Sequence, residues 1–292
     1  MRTAVLIPCY RRPHYLEQLL ADLMATPQVR TGLPVFLACD GGENATILEN
    51  IAVATKAKIP GLHCLVRPYH YGIGRNVYEA KRYLFEECQF DQVFFVEEDI
   101  RLSPHILTLL FNLKHWVAVN YTNACVLSSS IYCNQPLEEK QANLALVSDG
   151  GFSLANHLMS KECWYLIRPW MQEYVQQFLQ CAYAERDTPR IIAWMKAQAQ
   201  RLPVQSGERM FPVHWPVKEF FMEKPVSSQD CAMALAIRLA GFSHVVPIVN
   251  RAWHIGKQGE NSTEETWERS YSGTTLDVFE EDNTRSYFRV QA

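Results

Sequence analysis

The sequence predicts an α/β fold with a mostly parallel central sheet and helices on both of its faces. Three observations carry that expectation. Short apolar runs recur along the first hundred residues: "TAVLIP" (3–8), "VFLAC" (35–39), "LHCLV" (62–66) and "QVFFV" (92–96). Segments with helical periodicity lie between them. The runs are apolar at nearly every position, the mark of parallel strands buried between two helix layers rather than of strands with one wet face.

The elements follow in order. After the first strand, Pro13 suits the first turn of a helix with Leu16, Leu19, Leu20, Leu23 and Met24 on one face. The second strand ends in the turn chemistry of "DGGEN" and leads to a helix through Ile47 and Ile51. A glycine-punctuated loop after the third strand precedes a helix over Val77–Glu87. Beyond the fourth strand, Ser103 and Pro104 suit the cap and first position of a helix carrying Ile106, Leu107, Leu110 and Leu113. "ACVLSSS" (124–130) reads as a strand, and "SDGGFSLANHLMSKECWYLIRPWM" (148–171) as a glycine loop running into an aromatic helix over 152–170. "SSQDCAMALAIRLAG" (227–241) is a helix capped by Ser227 or Ser228 and stopped by Gly241, followed by a core strand, "HVVPIV", and the polar loop "NRAWHIGKQGENS".

The whole chain, 1–292, reads as one domain. Residues 1–100 form its regular α/β half, a nucleotide-fold candidate, and 101–264 a less regular half. A Gln-, Arg- and Pro-rich stretch over 172–226 looks like an insertion, and 265–292 is a tail. Composition narrows the function classes. With 48% hydrophobic and 20% charged residues, the 292-residue chain is ordinary for a globular protein with ample core. A formal charge of −3 gives no footprint for nucleic acid or an anionic membrane. Its apolar runs are too short to span a bilayer, and a strand beginning at Thr3 leaves no room for a signal peptide. Nine scattered cysteines without a CxxC pair, among them Cys39, Cys125 and Cys231 in apolar surroundings, read as reduced core thiols of a cytoplasmic protein.

In such a sheet, ligands bind outside the carboxyl ends of the strands. Those ends carry Tyr10-Arg11-Arg12, Asp40-Gly41-Gly42, the stretch "RPYHYGIGRN" and Glu97-Glu98-Asp99. A lone acid at a strand end is commonly solvated or caps a helix. Three in a row after "VFFV" repel one another unless a cation intervenes. Carboxylate oxygens suit Mg²⁺ or Mn²⁺, which bind one or two carboxylates together with phosphate oxygens.

Here the residues resemble a known family. "VFFVEEDIRLSPHIL" resembles the acidic metal motif (DxD) of glycosyltransferases with the GT-A fold, nearest the Glu-Asp-Asp form of the N-acetylglucosaminyltransferase I type. The middle acid is Glu98 here, where that type has Asp. "VLIPCYRRPHYLEQLLADL" is similar to the family's first strand and helix, and "LACDGGENATILENI" to its second strand end. "SQDCAMALAIRLAGFSHVVPIVNRAWHIGKQG" is similar to its catalytic Asp helix, strand and aromatic-His-aliphatic-Gly turn. The matches cover roughly residues 3–110 and 226–259, in the expected order.

The resemblance implies the GT-A fold, a Mn²⁺ (or Mg²⁺) ion, a nucleotide-sugar donor linked to UDP, and an inverting transfer, with N-acetylglucosamine as one candidate sugar. The acceptor stays open: glycan, lipid, peptide or small molecule. It assigns Asp99 to the metal. Glu98 is left between donor ribose and metal-bound water, and Glu97 orients its neighbours. Pro8, Tyr10, Arg11 and Arg12 fall where the family contacts nucleotide and diphosphate, and arginine grips phosphate with two donors at once. Two adjacent arginines cannot both point the same way, so one belongs to the surface. Asp40 either accepts from the uracil imide or builds an Asx-turn before the glycines. Arg75, in "HYGIGRN", either meets phosphate or sugar or simply follows a glycine turn. His254 in "WHIG" is a metal ligand, a diphosphate contact or a structural histidine. Asp230 implies the general base that takes the acceptor hydroxyl's proton; its plain reading is an acid placed to suit a helix N-terminus. Gly151 and the aromatic helix after it fall on the acceptor side, where Trp164 and Trp170 either stack on sugar or fill core.

Two rivals remain. A sugar nucleotidyltransferase needs a glycine-rich, lysine-bearing loop after the first strand, and "CYRRPHY" has none. A non-catalytic protein of the same fold is left open by Glu98.

Overall fold

The computed structural model describes residues 1–42, 44–120, 124–127, 144–148, 155–182, 185–202, 221–223, 225–247, 250–259, 263–272 and 289–290. Four parallel strands form one half of a nine-stranded sheet: β3 (Leu62–Val66), β2 (Val35–Cys39), β1 (Thr3–Cys9) and β4 (Gln92–Val96), side by side in that order. β1 therefore has β2 on one side, with Cys9 opposite Cys39, and β4 on the other, with Leu6 opposite Phe95. The chain reverses its winding direction at this point, and a crevice opens beyond the strand ends. The far half holds β8 (Asn156–Ser160), antiparallel to β4, then β6 (Ala124–Leu127), β9 (Ser243–Pro247), β7 (Leu144–Ser148) and β11 (Arg289–Val290).

Strand alternation sorts the core into two layers. Ala4, Leu6, Phe36, Ala38 and Phe95 face α4 (Gly72–Arg82), α6 (Lys161–Phe178), α7 (Thr188–Ala199) and α8 (Gln229–Leu239). Val5, Ile7, Leu37, Phe94 and Val96 face α1 (Pro13–Ala25), α3 (Asn44–Ala57) and α5 (Ile106–Asn120). A short α2 (Pro27–Arg30) follows α1, and α9 (Glu264–Tyr271) closes the described chain before β11. Among the described residues no helix is long and apolar enough to cross a membrane, and the described cysteines are free thiols. Cys39 and Cys231 are buried as expected; the side chain of Cys125 lies outside the described set.

Several expectations are corrected. β3 is the sheet's edge, so its burial is partial rather than complete. The helix expected from Val77 begins at Gly72 and widens into a π turn over Tyr83–Glu87. Glycine serves its first turns because a Cβ on Gly74 would sit 2.7 Å from Leu179 Cδ1 and 3.2 Å from Gln229 Cβ, where α4 approaches its neighbours. The helix expected from Ser103 starts at Ile106, because residues 100–102 are drawn into a strand, β5, and the Ser103 N–H donates to Arg251 O at 2.9 Å. Residues 156–160, expected in an aromatic helix, form β8. Pairing with β4 on one side and β6 on the other overrides the local pattern. The helix begins only at Lys161, where Ser160 Oγ caps the Cys163 N–H at 3.2 Å. Gly151 and residues 128–130 and 248–249 of the two expected strands lie outside the described residues.

The Gly41 backbone packs against the crossing chain, so that a Cβ there would lie 2.4 Å from Arg67 O and 2.6 Å from Tyr69 O. Gly41→Ala is expected to lower the unfolding free energy by about 2 kcal/mol, the usual cost of overpacking, measured by urea denaturation.

Candidate functional site

The acids leave β4 in a turn. Glu97 N–H donates to Ala155 O at 2.9 Å, and the chain enters β5 (Ile100–Leu102), which pairs antiparallel with β10 (Ala252–His254) so that His254 stands opposite Ile100. The Asp22 carboxylate of α1 clamps this small sheet, accepting from Arg101 Nε at 2.7 Å and Nη2 at 2.9 Å and from Leu102 N–H at 2.9 Å. His254 is thereby brought to Asp99, with Nε2 3.6 Å from Oδ2, while Ile255 N–H donates to Asp99 O at 2.9 Å. Its ring stacks on Tyr271 at 4.3 Å. Burial lowers the His254 pKa, with Asp99 opposing, so the imidazole is neutral at neutral pH.

Arg12 comes from the other side of the crevice, at the N-cap of α1. Its Nε and Nη2 donate to Glu98 Oε1 at 3.0 and 2.8 Å, and Nη1 donates to Asp99 Oδ2 at 2.6 Å. Glu98 and Asp99 are 5% and 3% exposed, so this is a buried charge cluster. Burial works against the Arg12 charge, but Glu98 and Asp99 outweigh it and hold the guanidinium pKa above its ordinary value. The loop after β10 closes over the cluster: Arg12 Nη1 reaches Gln258 O at 3.5 Å, and Lys257 N–H donates to Tyr15 Oη at 3.2 Å. Gly256 is required by contact, since a Cβ there would lie 2.2 Å from Asp99 Oδ2 and 2.9 Å from His254 Cε1.

Asp40, at the end of β2, has tying roles. Oδ1 accepts from Gly41 N–H at 2.9 Å and Tyr71 N–H at 2.7 Å, and Oδ2 stands 3.1 Å from His70 Nδ1. His70 in turn stacks on Tyr10 at 4.5 Å, and the Tyr10 carbonyl accepts from Asn50 Nδ2 at 2.6 Å. The other member of the arginine pair, Arg11, is exposed and lies over the Tyr10 ring at 4.8 Å, so only Arg12 enters the acids. Pro8 is buried inside β1 opposite Ala38. Arg75 is not brought to the acids. Its guanidinium lies 4.1 Å over Tyr71 and lines a cleft of about 410 Å³ between α4 and α6, with Glu79, Arg82, Gln172 and Gln176.

Asp230 occupies the first turn of α8, whose Ser228 cap accepts from Cys231 N–H at 3.2 Å. At the other end, Gly241 (φ 82°) and the bonds Phe242 N–H to Ile237 O and Gly241 N–H to Arg238 O complete a Schellman stop. Burial raises the Asp230 pKa to about 6, against the pull of Lys81 and a 3.3 Å hydrogen bond from Gln229 Nε2. Glu97 is pushed up further, by burial and then by Asp230, Asp99 and Glu98. Asp230 thus shares an electrostatic neighbourhood with the strand-end acids.

Sequence reading passed over His70, Asn76 and Lys81. Asn76 ties β2 to the β3 loop, donating to Ala38 O at 2.8 Å and accepting from Arg67 Nε at 2.8 Å. Lys81 had a visible signal: three residues after Tyr78 and four after Val77, it occupies the apolar stripe of α4.

Among the described residues no group of three or more His, Cys, Asp or Glu side chains is arranged to hold a metal. Asp99 and neutral His254 nevertheless fit a hard or borderline divalent cation as a two-residue set, because such ions are completed by substrate phosphates. Asp99 Oδ1 is buried with no hydrogen-bond partner, which leaves it an oxygen to offer, although Arg12 already occupies Oδ2.

The structure gathers acids, an arginine and an imidazole at the switch point of an α/β sheet, the place where ligands of such sheets bind. Residues 1–287 match the model of glycosyltransferase like family 2, and the chain belongs to that family, of the GT-A class. No curated protein matches it. Among solved structures, it is similar to TarS 1–349 of S. aureus (11% identity over 88% of this chain and 61% of that one, TM-score 0.47). It is also similar to the same protein in complex with UDP (15%, 68% and 55%, TM-score 0.42). A third likeness is to glucosyl-3-phosphoglycerate synthase from Mycobacterium tuberculosis in complex with Mn²⁺, UDP-glucose and phosphoglyceric acid (13%, 56% and 58%, TM-score 0.36). The chain spans 29% to 61% of the length of the TarS chains it matches.

Gly256→Ala places a methyl group against both Asp99 and His254. It is expected to reduce kcat/KM by about a hundredfold, the cost of a misplacement near 1 Å, and to lower the melting temperature by differential scanning fluorimetry, since the clash is with a buried, ion-paired carboxylate.

Proposed function

We propose that the protein is a divalent-metal-dependent, inverting glycosyltransferase that moves a sugar from a UDP-sugar to an acceptor hydroxyl. The observation that carries it is the meeting of Arg12, Glu98, Asp99 and His254 at one strand edge, electrostatically joined through Glu97 to a carboxylate, Asp230, on a separate helix. Family membership supports the reaction class. Arg12 is the diphosphate-binding arginine, for its fork geometry suits phosphate as it suits carboxylate. Tyr10 and Asp40 serve the nucleoside, and Asp40 supplies the acceptor that a uracil imide needs. Arg11, exposed beside Tyr10, flanks the nucleoside, Pro8 supports it from inside β1, and Glu98 faces the ribose. Arg75, lining the α4–α6 cleft, serves the sugar or acceptor side rather than the diphosphate. Asp99 and His254 hold Mn²⁺ or Mg²⁺, which when bound supplies Lewis-acid stabilisation of the departing diphosphate. N-acetylglucosamine as the sugar rests on the motif likeness to the N-acetylglucosaminyltransferase I type, and a cytoplasmic location on the reduced thiols.

Asp230 removes the acceptor hydroxyl's proton as that oxygen attacks the anomeric carbon from the face opposite the nucleotide. A base must be ionised, so its raised pKa moves the acid limb of the rate profile upward. kcat/KM is expected to fall about tenfold per pH unit below pH about 6, rather than in the ordinary carboxylate range. Stopped assays between pH 4.5 and 8 check this. Asp230→Asn and Asp99→Asn are each expected to abolish turnover in the same assays, in protein shown to be folded by circular dichroism.

The first test is a thermal-shift screen of nucleotide sugars, each with Mn²⁺ and with chelator. A ligand that binds only the folded state raises the melting temperature by mass action, about 2.7 kcal/mol at a hundredfold excess over Kd. A metal-dependent shift with one UDP-sugar, followed by turnover, is the expected result. No shift with any nucleotide sugar would replace this reading with the non-catalytic one, in which Arg12 simply neutralises the acids.

A further inference from the structure

Lys81 is 1% exposed, on the inward face of α4, beneath the helix that carries Asp230. Its Nζ lies 2.8 Å from His157 Nε2 of β8 and 3.2 Å from Met233 Sδ of α8, with the Phe95 ring of β4 at 4.8 Å. With the lysine charged, Nε2 must be the accepting nitrogen of a neutral imidazole. Among the described residues Nζ makes no ion pair, so both polar partners in contact are uncharged. A buried ammonium in that position is expensive unless a negative charge stands close by.

Met233 lies one helical turn beyond Asp230 on α8, and Glu97 follows the end of β4, two residues beyond Phe95, with Asp230 acting on its charge. Lysine, base and strand-end acid thus line one seam between the sheet and two helices. Around Lys81 stand His157, Cys163 of α6, Met233 and Asp230; around Asp230 stand Lys81, Gln229 and Glu97.

We propose that Lys81, anchored by His157, is the positioning residue for Asp230: a buried cation that keeps the carboxylate ionised in a site too dry to do so alone. The role rests on Asp230 being the base, and it deepens that assignment. Burial lowers the Lys81 pKa to about 7, with Asp230 opposing, and burial raises Asp230 to about 6, with Lys81 opposing. Each group therefore holds the other charged where burial alone would neutralise both. Asp230 is thereby ready to accept a proton near neutrality.

The first readout needs no donor or metal. Asp ¹³Cγ resonances are followed by NMR from pH 4.5 to 8, and Asp230 is assigned by its absence in Asp230→Asn. In Lys81→Met the Asp230 midpoint is expected to rise by about one pH unit, and the acid limb of kcat/KM to rise with it while KM holds. In Asp230→Asn the Lys81 ¹³Cε midpoint is expected to fall by a matching amount, because the coupling is reciprocal. An Asp230 midpoint unchanged in Lys81→Met, or a Lys81 midpoint unchanged in Asp230→Asn, overturns the proposal. If Lys81→Met does not fold, the lysine titration in Asp230→Asn decides. Loss of turnover in Asp230→Asn with uncoupled midpoints leaves the base standing and removes Lys81 from the mechanism. Retained turnover in Asp230→Asn overturns the base assignment, and with it the purpose of Lys81, whatever the midpoints do.

Discussion

Charge compensation at the end of β4 is the constraint around which this molecule is arranged. Three acids leave a strand whose every residue is buried, and a fourth reaches the same place from α8. Carboxylates that close cannot all stay ionised in a dry setting without cations among them. Two basic side chains answer, from different elements. Arg12 spans the crevice to Glu98 and Asp99, and Lys81 comes up through the core toward Asp230. Glu97, beside both groups, is pushed toward its neutral form by burial and by Asp230, Asp99 and Glu98.

In the proposed mechanism this division would give neighbouring carboxylates different work, since separating the pKa values of paired acids is how one site does acid and base chemistry at one pH. Arg12 would present Glu98 and Asp99 to the donor's phosphates, and Lys81 would keep Asp230 available as the base. The supporting frame is rigid: Asp22 clamps β5, Asn50 pins the Tyr10 carbonyl, and Asn76 joins β2 to the loop of β3. Gly256 and Gly41 are present because atoms of neighbouring segments fill the space a side chain would take.

Arg12 also bears on how a donor would enter. Its guanidinium holds Asp99 Oδ2 while Asp99 Oδ1 has no partner. A diphosphate and its cation would compete for the same fork and the same carboxylate. Arginine can exchange a carboxylate for a phosphate with little change of geometry, so the ion pair keeps the edge ordered and charged until a ligand takes its place.

The parallel half of the sheet was legible because its strands are local, apolar and bounded by turn residues: 35–39, 62–66 and 92–96 have the limits read from the sequence. So was the α8 frame, where Ser228 and Gly241 act through bonds to residues a few positions away. The three acids stood out as charges ending an apolar run, whereas Arg12, at a strand end, and Asp230, in a helix's first turn, were singled out by the family resemblance. What the sequence could not specify was partnership at long separation. The β5–β10 pair brings His254 to Asp99 across more than half the chain. β8 is a strand only because β4 and β6 flank it. Lys81 is a buried basic group whose charge matters only because His157 and Met233 pack against it and Asp230 acts on it. Local propensity and periodicity are properties of the sequence itself, whereas burial, and hence the energy of every charge in this site, exists only once distant segments pack together.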